Sequence, residues 1–283
     1  MTFSKKSYKI IIMLKDNDEK NLKKKIFDQT ELFLFDLDGT LYVGDTLIDG
    51  AAKVVERLKA AKKNVCFLTN NSSKARSEYM QKLRKMGLPV TDGELFISAQ
   101  STYEYLLRER REKRVWLAAT DEVKDDFRAA GIDVVENDPE TVVLAFDTSI
   151  TYQKIDTLCR YVHQGVFFAA THSDLNCPHP ISPMPDVGSF IALVKAVTGR
   201  EPDAVCGKPF KPCADGIAAR YKVENKKIAM VGDRLYTDIR FGNNFGYSSI
   251  LVMTGETAAD MLGNSPDKPT LTFGTVADFL EFI

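Results

Sequence analysis

Short apolar runs rich in β-branched and aromatic residues alternate with stretches of helical period along almost the whole chain, and this alternation limits the fold more than any other feature. The runs Leu32–Phe35, Val65–Leu68, Leu95–Ile97, Val115–Ala118, Val142–Phe146, Val166–Ala169, Ala204–Cys206, Ile228–Val231 and Ser249–Met253 predict strands. Helices are predicted around Ala51–Lys62, Lys74–Met86, Ser101–Glu112, Glu122–Ala130, Gln153–Gln164, Ser189–Val197, Cys213–Tyr221, Thr237–Phe245 and Val276–Phe282. Strands that are apolar on both faces need a layer of helices on each side, which predicts a doubly wound α/β fold with a mostly parallel sheet. Ligands of such sheets sit in the crevice beyond the carboxyl ends of the strands, so chemistry-bearing residues are expected just after strands.

A length of 283 residues predicts one large or two medium domains, and 44% hydrophobic residues suffice for a sizeable core. The formal charge of -1 gives no bulk attraction to nucleic acid or anionic lipid. No apolar run approaches the roughly 18 residues of a membrane span. Cys66, Cys159, Cys177, Cys206 and Cys213 are odd in number, scattered and never spaced C-x-x-C, which predicts reduced thiols in a cytoplasmic protein rather than disulfides or zinc. Eight lysines and the short apolar run Ile10–Leu14 mark residues 1–25, expected to be a flexible extension. That run is too short for a secretory signal and no small-residue cleavage site follows it. Met13 is a candidate start, since the regular alternation begins near Ile26.

Four segments follow predicted strands. In Phe35-Asp36-Leu37-Asp38-Gly39-Thr40 two carboxylates at i and i+2 leave a strand end on the same side, and Gly39 allows a sharp turn. A calcium loop starting at Asp36 would need glycine at its sixth position and a carboxylate at its twelfth, where Leu41 and Leu47 stand. Thr69-Asn70-Asn71-Ser72 precedes a predicted helix and reads either as an anion site at its N-terminus or as a cap by Ser72 or Ser73. Lys208, in Gly207-Lys208-Pro209, could be an ordinary surface lysine, and Asp233, in Gly232-Asp233-Arg234-Leu235-Tyr236-Thr237-Asp238, could cap a helix. Together the segments bring three carboxylates, a hydroxyl, two amides and an ammonium to one crevice. Two unit charges about 4 Å apart repel by roughly 4 kcal/mol at an effective dielectric of 20. Clustered Asp36, Asp38 and Asp233 with a phosphate dianion would therefore require cations, and Mg²⁺ with Lys208 meets that need.

Asp36-Leu37-Asp38-Gly39-Thr40, Thr69, Lys208 and Gly232-Asp233 resemble the four ordered motifs of the haloacid dehalogenase (HAD) superfamily. Asp38-Gly39-Thr40-Leu41-Tyr42, Thr69-Asn70-Asn71-Ser72, Gly207-Lys208-Pro209 and Gly232 to Asp238 are similar to its NagD-like class IIA branch of sugar and p-nitrophenyl phosphatases, over roughly residues 30 to 255. The resemblance implies a Rossmann-like core over 26–108 plus 202–283 and an α/β cap domain of the C2 type inserted over 109–201. It implies Asp36 as the nucleophile that takes the phosphoryl group, Asp38 as general acid and then base, and Thr69 and Lys208 as holders of the phosphoryl oxygens. Asn70 and Asn71 would line the site. Mg²⁺ would be bound by the Asp36 carboxylate, the Asp38 backbone carbonyl and Asp233, with Asp238 ordering Lys208 or a metal-bound water. Asp38 also disfavours dehalogenation, which has no oxygen leaving group in need of a proton.

Thr171-His172-Ser173-Asp174 and Asn176-Cys177-Pro178-His179-Pro180 are expected to face the substrate from the cap; His172 and His179 are candidates there, although a surface or structural role accounts for each more simply. Asp186-Val187-Gly188-Ser189 resembles the helix start that the family places at the cap–core junction. The expected function is hydrolysis of a small phosphomonoester, most plausibly a sugar phosphate. A phosphotransferase or phosphomutase, and a non-catalytic phospho-ligand sensor, are the alternatives, and the sensor is disfavoured by the intact motifs. No nucleic acid or membrane partner is expected, and a homodimer is compatible with the sequence.

Overall fold

The computed structural model describes residues 5–111, 114–179 and 181–283, with side chains from Asn17 onward, so that Pro180 and Glu112 lie outside the described residues. Strand Leu32–Phe35, buried at every position, pairs in parallel with Asn64–Thr69 on one side and Ile228–Gly232 on the other. Leu95–Ile97 extends the sheet beyond Asn64–Thr69, and Ser248–Val252 and Leu271–Phe273 extend the other side to six parallel strands. The chain first builds outward in one direction and later returns to build outward in the other. The reversal falls between Leu32–Phe35 and Ile228–Gly232, where diverging connections open a crevice at the carboxyl ends. Asp36 N donates to Val231 O at 2.9 Å, which carries the ladder one residue further and sets Asp36 at that opening.

A second, five-stranded parallel sheet has the order Ala204–Val205, Phe167–Ala170, Thr141–Leu144, Arg114–Ala118 and Asp133–Val134. Ala204–Val205 pairs with Ala169 and Ala170 of this sheet, although the expected boundary at 201/202 assigned it to the other unit. The stretch 109–201 was expected to form a layer of its own, but its packing differs. One apolar cluster runs from Phe33, Phe35 and Ile97 through Leu106 to Val115, Val123, Phe127 and Val143, and the Tyr103 ring meets Phe127 edge-on at 5.5 Å. Only the far face of the second sheet, around Trp116, Leu144 and Phe168, has a separate core.

The predicted helices are present with shifted ends, and two of them are composite. Ser98–Tyr105 continues as a π-helical turn over Leu106–Arg110, and Leu235–Ile239 is a π-helical turn that leads into Arg240–Phe245. The expected flexible extension differs most: residues Lys5–Gln29 form a helix. Ion pairs Lys23–Glu19 at 2.6 Å and Lys24–Asp28 at 2.9 Å have the helical i,i+4 spacing. Its end is anchored by Phe27, whose ring lies 5.0 Å from Phe279 and 5.5 Å from Phe33. All five cysteines are free, and among the described residues no helix is long and apolar enough to cross a membrane.

Candidate active site

The turn after Leu32–Phe35 requires Gly39. Its φ is 81°, in the left-handed region, and a Cβ there would lie 2.5 Å from Asp233 Oδ2. Gly39 N donates to Tyr42 O at 2.8 Å, and the tight turn directs Asp36 and Asp38 into one cleft. The Tyr42 hydroxyl donates to Asp38 Oδ2 at 3.0 Å.

Lys208 reaches the cleft from an unexpected direction, because the strand before it belongs to the second sheet. Its backbone is held by Asn70, whose Oδ1 accepts from Lys208 N at 2.8 Å and whose Nδ2 donates to Lys208 O at 3.0 Å. Gly207 makes this approach possible, since a Cβ there would lie 2.6 Å from Asn70 Oδ1. The Lys208 side chain is 1% exposed, and its ammonium donates to Asp36 Oδ1 at 2.6 Å, Asp238 Oδ1 at 2.7 Å and Leu68 O at 3.2 Å. The two carboxylates hold the ammonium charged far above its ordinary range despite its burial. Sequence alone left open a surface lysine; the structure has a buried one.

Asp36, Asp233 and Asp238 each offer a carboxylate oxygen within 4.8 Å of the others. Asp233 Oδ2 accepts from Glu256 N at 2.6 Å, while Oδ1 is buried with no hydrogen-bond partner among the described residues. Gly255 admits this carboxylate, since a Cβ there would lie 1.9 Å from Asp233 Oδ2. Burial, then the charge of Asp238, pushes Asp233 up to about 7. Burial also raises Asp36 well above the usual carboxylate range, against the opposing pull of Lys208, and raises Asp38 against Lys82 and Tyr42. Crowded, desolvated carboxylates with an orphaned oxygen suit a hard divalent cation with oxygen ligands. The Asp38 carboxylate stands outside this trio.

Thr69 ends its strand, and its Oγ1 accepts from Asn71 N at 3.1 Å. The next helix starts only at Arg76 after Ala75, so neither Ser72 nor Ser73 caps it and its N-terminus does not adjoin Thr69. Ser72 Oγ instead meets Thr171 Oγ1 at 2.9 Å and accepts from Phe146 N at 2.9 Å, tying the two sheets together. Asn71 Oδ1 accepts from Ser73 N at 3.0 Å, and Asn71 is among the residues that line the cleft.

From the second unit, Asp174, Cys177, Pro178 and Asp186 border the cleft. Thr171 and His172 do not face a substrate: both are fully buried, and His172 bridges Thr171 Oγ1 and Asp186 Oδ1 at 3.0 Å each. His179 is exposed and accepts from Ile181 N at 3.3 Å. Asp186 caps the helix Val187–Thr198 through Val187 N. Asn70 Nδ2 donates to both oxygens of Asp174 at 3.2 Å, and Arg234 NH1 lies 3.5 Å from Asp174 Oδ2. The sequence motif that contains Arg234 implies no role for it. Its side chain is 11% exposed, and its second partner is Glu256, 3.0 Å from Nε.

Two family models match this chain: "Haloacid dehalogenase-like hydrolase" over residues 33–133 and "HAD-hydrolase-like" over residues 205–279. Phosphoglycolate phosphatase 2 of Arabidopsis thaliana is 32% identical over 92% of this chain and 95% of its own length. The crystal structure of a 4-nitrophenylphosphatase from Thermotoga maritima has a TM-score of 0.87 at 40% identity, covering 90% of this chain and 98% of that one. A solved structure of a putative NagD protein has a TM-score of 0.84 at 40% identity, covering 89% and 97%. With the motifs gathered at the switch point of a doubly wound sheet and relatives matching over nearly their full length, this chain belongs to the haloacid dehalogenase-like hydrolases, in the NagD-like class IIA phosphatase branch.

Proposed function

We propose that this chain hydrolyses phosphomonoesters of small metabolites, of the sugar phosphate class, through an aspartyl-phosphate formed on Asp36. The observation that carries the reading is the contact of Lys208 Nζ with Asp36 Oδ1 at 2.6 Å inside a cleft that also holds Asp38 and Thr69. Asp36 attacks phosphorus as the bond to the leaving oxygen breaks, and Asp38 gives that oxygen its proton. Water then attacks phosphorus, Asp38 takes the proton, and inorganic phosphate leaves with Asp36 regenerated. Lys208 and Thr69 hold the phosphoryl oxygens. Asn70 acts by fixing Lys208, since its amide is already engaged. Asn71 and Asp174 offer polar contacts that suit the hydroxyls of a sugar.

Asp36, the Asp38 backbone carbonyl and Asp233 would hold Mg²⁺, with Asp238 ordering Lys208. The ion, when bound, neutralises the carboxylates and the developing phosphoryl charge. Residues 109–201 form the cap, extended here to about Val205 because that strand completes the cap sheet. Such a cap excludes water and selects the leaving group.

The test is release of inorganic phosphate from p-nitrophenyl phosphate and a panel of phosphorylated metabolites, with Mg²⁺ and water as the sole acceptor. Stoichiometric phosphate release is expected. Turnover that requires a second alcohol or sugar acceptor would instead indicate a phosphotransferase.

A further inference from the structure

Tyr42 is fully buried and among the largest such side chains, yet its hydroxyl points out of the core to Asp38 Oδ2 at 3.0 Å. Among the described residues this is the one hydrogen bond made to the Asp38 carboxylate. The phenol is fixed from several sides. Tyr42 O accepts from Gly39 N at 2.8 Å, Leu37 O accepts from Tyr42 N at 3.3 Å, and Tyr42 opens the antiparallel hairpin Tyr42–Val43/Thr46–Leu47. The Lys82 ammonium lies over the ring, 4.2 Å from its centroid, and is itself 3.7 Å from Asp45.

A carboxyl that accepts a hydrogen bond on one oxygen keeps its own proton on the other, because a proton on Oδ2 would meet the Tyr42 hydrogen. A phenol is protonated at neutral pH, and this one donates to Asp38 Oδ2, so that oxygen is occupied as an acceptor. Resting on the phosphatase reading above, we infer that Tyr42 is a positioning residue that holds the Asp38 carboxyl so that Oδ1 alone exchanges the proton of the reaction. That proton passes from Oδ1 to the leaving oxygen as the phosphorus–oxygen bond breaks, and a proton of the attacking water returns to Oδ1. A tyrosine that served only to fill the core would contribute through its ring and would not need the hydroxyl.

Tyr42→Phe keeps the ring and removes the hydroxyl. The full chain with Mg²⁺ is assayed for kcat and KM on phosphomonoesters whose leaving groups run from nitrophenol to simple alkyl alcohols, together with the burst of nitrophenolate. Alkyl esters depend on a proton from Asp38, so their kcat is expected to fall about 10- to 100-fold, with KM changed less than about twofold. The nitrophenolate burst needs little protonation and should fall far less, and it also shows that the variant is folded. An equal fractional loss in the nitrophenolate burst rate and in the kcat of the alkyl esters, or no loss in either, would overturn the inference. A wild type that shows no burst while Asp36→Asn stays active would overturn the reading of Asp36, and this inference with it. A wild type that behaves as proposed, with the same leaving-group dependence in Tyr42→Phe, would overturn the inference alone.

Discussion

Replacing Lys208 with methionine removes one buried cation from between two carboxylates and keeps most of the side-chain volume. In the native protein the ammonium bonds to Asp36 at 2.6 Å and Asp238 at 2.7 Å and is 1% exposed. Removing one partner of a buried ion pair costs about 3–5 kcal/mol, because the remaining charge is left unpaired. Here two carboxylates remain, with oxygens within 4.8 Å of each other, and repulsion at such separations adds roughly 4 kcal/mol at an effective dielectric of 20. Protonation limits the sum: the carboxyls of the variant gain affinity for protons, so the penalty is largest above their folded pKa values and shrinks as pH falls. Lys208 itself adds no slope between pH 5 and 8, since its folded pKa is raised and its stabilisation is fully present below the unfolded value near 10. Urea unfolding of metal-free protein should show a loss of about 3–5 kcal/mol at pH 8 and clearly less at pH 5. A loss below about 1 kcal/mol at pH 8, or an equal loss at both pH values, would refute the assignment of Lys208 as a buried, doubly paired cation.

Gly255→Ala places a methyl group 1.9 Å from Asp233 Oδ2, so that carboxylate must move. Overpacking of this kind costs about 1–3 kcal/mol, and displacement of a positioning group by about 1 Å costs roughly 100-fold in kcat. A variant with wild-type kcat and unchanged Mg²⁺ affinity would contradict the placement of Asp233. Metal-free protein should lose stability as pH rises, because Asp233 is pushed up to about 7 and must ionise while buried. From the usual carboxylate value of 3.8 to about 7, the full cost is on the order of 4 kcal/mol, reached above pH 7. Mg²⁺ should therefore raise Tm more at pH 8 than at pH 5.5, and an equal gain at both would count against Asp233 as a ligand. With p-nitrophenyl phosphate, activity should vanish in EDTA and return with Mg²⁺; full turnover in excess chelator would exclude the proposed chemistry.

The central sheet was legible because strands such as Leu32–Phe35 and Ile228–Gly232 are buried on both faces and read as unbroken apolar runs. Several shorter elements were not. Leu271–Phe273 has three residues, and its place at the sheet edge depends on pairing with Ser248–Val252. The hairpin Tyr42–Val43/Thr46–Leu47 did carry a local signal in Gly44-Asp45, with Gly44 at φ 60°, but its two-residue strands are too short to show an alternating pattern. Ala204–Val205 joined the second sheet through contacts that no local pattern encodes. The helix Lys5–Gln29 reads as lysine-rich and polar, and among its described side chains only Ile26 and Phe27, at its end, are buried in the core. At the site, Asp36, Asp38, Thr69, Lys208 and Asp233 could be named from their positions after strands. The bonds of Asn70 to Lys208 and Asp174 span 138 and 104 residues, and neither could be read from the chain. The contact of Tyr42 with Asp38 is only four residues long and could have been found from the turn.

The central claim is that Asp36 becomes covalently phosphorylated. Asp38→Asn leaves the nucleophile in place and removes the base that assists hydrolysis, a change worth roughly 10²–10⁴-fold. Incubated with p-nitrophenyl phosphate and Mg²⁺, it should accumulate a mass increase of one phosphoryl group, located on Asp36 by peptide mapping and lost with hydroxylamine, whereas Asp36→Asn should gain no adduct and lose nearly all activity. A phosphoryl group on a serine, threonine or histidine, or an active Asp36→Asn, would contradict the account.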